Sequence, residues 1–204
     1  KARLQANGVP VPEGRFCATA KLAEQAAETL GFPLVLKGQG HAHKSESGAV
    51  HLNLQLLQAV AQAAADTDSN GYLLEQMVTG GVAEVLVAVL RDPAHGFVLT
   101  LGAGGVMTEI LADVSTRLVP VTAQDVRAAL AELRIYPVLC GYRGSLGVNI
   151  DALIQAVLGV QSFVLETAAF LEEVEINPLI CTPDRAVAVD ALITLGVSND
   201  RDTN

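Results

Sequence analysis

Glu173-Val-Glu-Ile-Asn-Pro178 and Val187-Ala-Val-Asp190, separated by the stretch Thr182-Pro-Asp-Arg185, decide how this chain is read. Pro followed by Asp between two alternating, β-branched runs is a hairpin signal. Closing the hairpin over Pro183 and Asp184 sets Asn177 opposite Asp190. Glu175, two residues before Asn177, then points to the same side, because side chains alternate along a strand. Val174, Ile176, Ile180, Val187 and Val189 are left to fill the other face. Two carboxylates and an amide form a set of hard oxygen donors suited to Mg²⁺, which keeps waters and adds phosphate oxygens as ligands. The competing reading is a half-solvated hairpin with its polar residues outward, which the same alternation describes equally well.

Composition bounds the rest. Half of the 204 residues are hydrophobic, yet only 4% are aromatic and none is Trp, so the core is built from Ala, Val and Leu. A net charge of −9 argues against a general nucleic-acid surface or an anionic membrane as partner. No apolar run reaches the roughly 18 residues of a membrane span, and no signal peptide opens the sequence. Cys17, Cys140 and Cys181 are odd in number and lack metal-ligand spacing, which fits buried or incidental thiols in a reducing, cytoplasmic setting. The sequence starts at Lys1, without Met and in what reads as mid-helix, as expected of a fragment of a longer polypeptide.

Short strands and helices alternate along the chain. Helical spacing runs from Thr19 to Leu30 and stops at Gly31. Pro33 to Lys37 is an apolar strand ending on a cation, followed by the Gly- and His-rich loop Gly38 to Gly48. Ala49 to Leu54 alternates as a strand, Gln55 to Asp66 is an Ala-rich helix, and Gly71 to Val78 is a further strand. Val82 to Arg91 and Gly96 to Leu101 form a β-pair turned at Asp92-Pro93. A second glycine loop, Gly102-Ala-Gly-Gly105, follows. Asp125 to Leu133 and Ile150 to Leu171 have helical periodicity, with a loop around Gly141-Tyr-Arg-Gly144 between them. The seam at Gly80-Gly81 divides a βαβ-containing first part from a larger part with its own sheet.

Several single positions carry chemistry. Lys37, at the end of its strand, faces a glycine loop, where an ammonium meets phosphate; the alternative is a lysine that snorkels from a strand end. Gly104 and Gly105 let backbone N–H groups approach an anion, although glycine loops are mostly turns. His43 is a phosphoryl acceptor or proton shuttle in a polar loop, or simply a solvated histidine. Glu75, on an edge strand, pairs with an adenine amine or a sugar hydroxyl, or points outward to water. Arg117, in Asp113-Val-Ser-Thr-Arg117, neutralises phosphate or forms a surface ion pair.

Their order along the chain is what makes them specific. From about Gly8 to about Ile193 the chain resembles the ATP-grasp domain of the NDP-forming acyl-CoA synthetases (acetate–CoA ligase, ADP-forming), relatives of the succinyl-CoA synthetase β subunit. The segments that carry the resemblance are Pro33-Leu-Val-Leu-Lys37, His43-Lys-Ser-Glu-Ser-Gly48, Leu74-Glu-Gln-Met77, Gly80-Gly-Val-Ala-Glu84 and Arg91-Asp-Pro-Ala-His-Gly96. They continue with Leu101-Gly-Ala-Gly-Gly105, Asp113-Val-Ser-Thr-Arg117, Gly141-Tyr-Arg-Gly144 and Glu175-Ile-Asn-Pro-Leu179.

The resemblance implies an α+β ATP-grasp fold in which two α/β subdomains clasp a nucleotide. Residues 14–79 form the small subdomain, 1–13 with 80–195 the large one, and 196–204 a tail. It implies that Lys37 contacts nucleotide phosphates, that Glu75, Gln76 and Met77 read the adenine edge largely through backbone, and that Glu84 holds the ribose hydroxyls. It implies too that Glu175, Asn177 and Asp190 bind Mg²⁺. His43 matches the family's second phosphohistidine, relaying phosphoryl between the nucleotide and a histidine on a separate CoA-ligase domain. Ala49 departs from the family's usual Gly-Gly, which puts a positive-φ backbone in question there.

The implied cofactors are ATP or ADP with Mg²⁺, and the implied partners are CoA-binding and CoA-ligase domains, on this or a partner chain, in an oligomer. Two alternatives are a regulatory nucleotide-binding module of an acetyltransferase fusion, and an ATP-grasp carboxylate–amine or biotin-type ligase in which His43 has no role.

Overall fold

The computed structural model of the chain describes residues 1–39 and 49–196. Contacts group them into two compact units, Pro12–Thr79 and Lys1–Val11 together with the chain from Gly80 onward. Helix α1 (Ala2–Ala6) opens the second of these and buries Leu4.

The unit Pro12–Thr79 contains β1 (Gly14–Cys17), α2 (Ala20–Leu30), β2 (Leu34–Gly38), β3 (Val50–Leu54), α3 (Leu57–Asp66) and β4 (Tyr72–Gln76). Thr19 starts α2 by accepting the Leu22 N–H at 3.3 Å, and Gly31, at φ +76°, ends it. Ala23, Ala26, Ala27 and Leu30 form the buried stripe of α2, the i, i+3, i+4, i+7 spacing of an amphipathic helix. With Val60, Ala63 and Ala64 of α3 they pack over Leu34, Leu36 and Leu74. The sheet order is β1-β4-β2-β3, and each neighbouring pair is antiparallel. Hence β1 and β2 run parallel with β4 between them, and β3 and β4 run parallel with β2 between them. The expected βαβ connections exist, but each is split by an intervening strand. Strand β4 is therefore interior, not the edge strand expected: Gly14-Arg-Phe-Cys17, too short to read as a strand, pairs outside it.

The larger unit continues with β5 (Ala83–Asp92), β6 (Gly96–Ala103), α4 (Met107–Leu111), β7 (Val114–Leu118), α5 (Ala123–Ala131) and α6 (Tyr136–Leu139). It closes with α7 (Ile150–Glu166), β8 (Leu171–Cys181), β9 (Ala186–Ala188) and β10 (Ala191–Leu195). The strands order as β10-β8-β5-β6-β7, with β9 also on β8. The β5–β6 turn is set by Asp92, whose carboxylate accepts the N–H groups of Ala94 and His95, both at 2.8 Å. Val85, Val87, Val89, Leu99, Leu101, Val174 and Ile176 share one core with Val126 and Leu130 of α5 and with Val157, Val160 and Phe163 of α7. Helix α7 stops at Glu166, short of the expected Leu171, which instead begins β8 fully buried.

The inward face of β8 changes midway. Val174 and Ile176 are buried, but beyond Pro178 the buried residues are Leu179 and Cys181. The pairing with β5 shifts between Val85 and Val87 at the same place. Pro178 has no N–H to give the ladder, and the extra residue of such an irregularity reverses the alternation. Val187, paired with Ile180, is buried but lies outside the core that Ala186 and Ala188 join, and Ile180 and Val189 are only half-buried, so none of the three fills the inner face as expected. Among the described residues no helix is long and apolar enough to cross a membrane.

Candidate functional site

The hairpin keeps the register that the sequence sets. Leu179 pairs with Ala188, Ile180 with Val187 and Cys181 with Ala186. The same register resumes on β10, where Ala191 pairs with Ile176 and Leu192 with Glu175. In the gap between β9 and β10, Asp190 stands opposite Asn177 and Val189 opposite Pro178, whose carbonyl accepts the Val189 N–H at 3.3 Å. The Asp190 carboxylate turns back on its own strand and accepts the Ala191 N–H at 3.0 Å. Glu175 lies between Ala88 of β5 and Leu192 of β10, on the opposite face from Val174 and Ile176 and so away from α5 and α7.

The second glycine loop reaches this hairpin directly. The Gly105 N–H donates to Asn177 Oδ1 at 2.8 Å, and the Gly104 N–H to the Glu84 carbonyl at 2.9 Å. A side chain on Gly104 would meet the backbone of Val85 and Leu86 at 2.7–2.9 Å, and one on Gly105, at φ +60°, would run into the Glu84 carboxylate. Glu84, Gly104, Gly105, Asn177, Asp190 and Glu175 thus belong to one neighbourhood of the larger unit. Their donor set suits a hard divalent cation: two carboxylates, and an amide oxygen with a lone pair left after accepting the Gly105 N–H. Among the described residues no three His, Cys, Asp or Glu side chains gather tightly enough to hold a metal alone.

In the other unit, Lys37 is neither a solvated nor a snorkelling lysine. It is 7% exposed, and its Nζ lies 3.0 Å from Oε2 of Glu75, which is 4% exposed. Glu75 points inward to this pair, not outward to water. Gln76 donates its backbone N–H to the Glu13 carbonyl and Met77 donates to the Pro33 carbonyl, both at 2.9 Å. An adenine edge read at these two residues would therefore meet N–H groups already engaged. Ala49, where the family usually has Gly-Gly, is buried. His43 lies outside the described residues.

Arg117 forks onto Glu132 with bonds of 2.6 and 3.2 Å, and Glu132 also accepts the Ser115 hydroxyl at 2.5 Å. The Arg117 pair and a Ser115 bond hold the Glu132 carboxyl below its usual range. Asp113 in the same motif is buried and accepts the N–H groups of Arg134 at 2.8 Å and Ile135 at 3.0 Å. The motif Asp113-Val-Ser-Thr-Arg117 thus fastens β7 to the segment after α5. Glu132 and the Asp113 carboxylate went unread as partners, because both act across sequence separations that local pattern does not encode.

The ATP-grasp domain family matches residues 1–195. The β subunit of ADP-forming acetate–CoA ligase I from Pyrococcus furiosus is 34% identical over 208 residues, covering 96% of this chain and 89% of that one. A trans-feruloyl-CoA synthase from an unknown prokaryotic organism is 34% identical over 95% of this chain, which spans 29% of its length. Among solved structures, the dinucleotide-forming acetyl-CoA synthetase 1 of Ca. Korarchaeum cryptofilum matches with a TM-score of 0.84 and 32% identity, over 94% of this chain and 88% of that one. That structure holds coenzyme A and Mg-AMPPCP, with its phosphohistidine segment pointing towards the nucleotide-binding site.

Proposed function

This chain belongs to the ATP-grasp domain family, and from that premise we propose that it is the nucleotide-handling part of an ADP-forming acid–thiol ligase. The observation that carries this reading is the register placing Asp190 opposite Asn177, with Asn177 bonded to the glycine loop at Gly105. The assembled enzyme converts acid, CoA and ATP to acyl-CoA, ADP and phosphate. Lys37 holds nucleotide phosphates as a point charge, Gln76 and Met77 border the adenine, and Glu84 accepts ribose hydroxyls. Glu175, Asn177 and Asp190 would hold Mg²⁺, which when bound neutralises phosphate charge. An imidazole nitrogen of His43 attacks the γ-phosphorus, the bond to the β-phosphate oxygen breaks, and ADP leaves. The phosphohistidine then passes its phosphoryl group to a histidine on a CoA-ligase domain.

CoA-binding and CoA-ligase domains come from further sequence of the same polypeptide or from a partner subunit, in a cytoplasmic oligomer. The identity shared with an acetate ligase subunit and with a feruloyl-CoA synthase is the same, 34%. Relatives named for different acids thus match this chain equally well.

Calorimetric titration with ADP and Mg²⁺ tests the reading. Saturable, metal-dependent heat is expected, and Asp190→Asn or Glu175→Gln should weaken it about tenfold or more with little change in melting temperature. Absence of heat from the wild-type chain, or a lower melting temperature at unchanged affinity in the variants, restores the ordinary-hairpin interpretation. In the reconstituted enzyme His43→Asn should abolish the acid-labile phosphate label and turnover while leaving ADP binding intact.

A further inference from the structure

Helix α4 has no buried residue, and Val106, Met107 and Ile110 are exposed around it. Apolar packing therefore does not fix the end of the glycine loop. Polar bonds do. The Gly105 carbonyl accepts twice from Thr108, from its N–H at 3.2 Å and its hydroxyl at 2.9 Å. On the other side of the same residue the Gly105 N–H donates to Asn177 Oδ1, and Asn177 Nδ2 reaches Thr108 Oγ1 at 3.5 Å.

The donor and acceptor roles close consistently. A hydroxyl has one proton, which Thr108 gives to the Gly105 carbonyl, so its lone pairs remain to accept from the Asn177 amide. The amide thereby has one allowed orientation, oxygen toward Gly105 and nitrogen toward Thr108. That orientation leaves the second lone pair of Asn177 Oδ1 for a cation. A ligand held by outer bonds of this kind loses little freedom when the metal arrives, and such outer partners commonly contribute 10–100-fold to metal affinity.

We infer that Thr108 is a positioning residue for the metal site, fixing the Asn177 amide through Gly105. The inference rests on the reading of Asn177 as a Mg²⁺ ligand given above. The loop then acts on the cation through Asn177, in addition to any contact it makes with phosphate. The simpler role for Thr108 is to stabilise the start of α4, which predicts a change in stability and none in metal dependence.

The experiment is ADP binding by calorimetry across a Mg²⁺ series, with metal-free binding measured in EDTA and melting temperatures recorded in parallel. Thr108→Val should raise the Mg²⁺ midpoint about tenfold while metal-free ADP affinity stays within about twofold. Thr108→Ser, which keeps the hydroxyl, should restore the wild-type midpoint, and Thr108→Ala replaces the valine variant if that one does not fold. Asp190→Asn serves as the reference for loss of a metal ligand. If Asp190→Asn raises the midpoint and loss of the Thr108 hydroxyl does not, Thr108 is only a helix-start residue and the inference is overturned, with the proposed function untouched. If neither variant moves it, the hairpin is not the metal site, and both readings fall.

Discussion

The ammonium of Lys37 and the carboxylate of Glu75 stand 3.0 Å apart with side chains only 9% and 5% exposed. They come from adjacent antiparallel strands, where Val35 is directly opposite Glu75 and Lys37 opposite Leu73, which makes the pair a diagonal one on a single face. Removing one partner takes this attraction away from the other buried charge, which costs up to about 3–5 kcal/mol. Lys37→Met and Glu75→Leu should each lower unfolding stability by about that much, whereas the double variant should recover much of the loss. Denaturant unfolding of the three variants measures the coupling. Additive losses would show that the two groups do not interact in solution. If Lys37 holds phosphate as proposed, nucleotide affinity should fall in every variant that lacks it, including the stable double one, because the proposed contact is the ammonium itself.

The hairpin register was legible because its determinants are local: a Pro-Asp turn and alternation on either side of it. The reversal at Pro178 was not, since it arises from pairing with Val85 and Val87 of a strand some ninety residues earlier in the chain. Strand β4 was misplaced at an edge for a similar reason. Nothing in Gly14-Arg-Phe-Cys17 announces a strand, because its role comes from lying flat against Glu75, where a side chain on Gly14 would meet Glu75 Cγ at 2.7 Å. The acidic and amide residues proposed as cation donors stand out by residue type, whereas Thr108, which bonds to Gly105 and Asn177, is an unremarkable threonine until the loop folds back on itself.

Gly104 separates a packing requirement from a turn requirement. It needs no positive φ, yet a methyl group there would meet backbone atoms Val85 C at 2.7 Å and Leu86 N at 2.9 Å. Backbone in the middle of a sheet cannot withdraw as a side-chain tip can. Gly104→Ala should therefore destabilise by about 1–3 kcal/mol, the usual range for overpacking, and should weaken nucleotide binding by shifting Gly105. Gly144→Ala supplies the contrast: its φ is +85°, but nothing lies within 4 Å. It should cost about 1 kcal/mol from backbone conformation and leave nucleotide affinity unchanged. Equal effects of the two on affinity would remove the packing argument.

The three thiols differ in a way that a disulfide reagent can count. Cys140 is exposed, while Cys17 and Cys181 are buried. Burial pushes the Cys181 thiol up to about 12 and raises Cys17 as well, so neither offers thiolate at neutral pH. Native protein should release one equivalent of chromophore from Ellman's reagent at pH 8 and the denatured protein three. Rapid native reaction of more than one thiol would mean that the cores around Cys17 or Cys181 open readily.

The acid side of stability should report on Arg117 and Glu132. The Arg117 bond to Glu132, then the Ser115 hydroxyl, lower the Glu132 pKa from its ordinary 4.5. A carboxyl that is more acidic in the folded protein than in the unfolded chain stabilises the fold fully above the unfolded value. That contribution disappears as pH falls through the folded value. Arg117 stays protonated throughout and adds no slope of its own. Melting temperature should therefore fall less steeply between about pH 5 and pH 3 in Glu132→Gln than in wild type. Part of the slope should remain, because Asp92 and Asp125 are also lowered, by the turn at Ala94 and His95 and by the Thr122 cap. At pH 7 an exposed, solvent-screened pair contributes little, so the two proteins should melt within a few degrees of each other. The same pair decides what Arg117 does for the nucleotide. If it stays on Glu132, Arg117→Ala should leave Mg·ADP affinity within about threefold of wild type, the scale of a distant surface charge. A loss of tenfold or more, matched by unchanged affinity in Glu132→Gln, would instead mean that Arg117 leaves its carboxylate for phosphate.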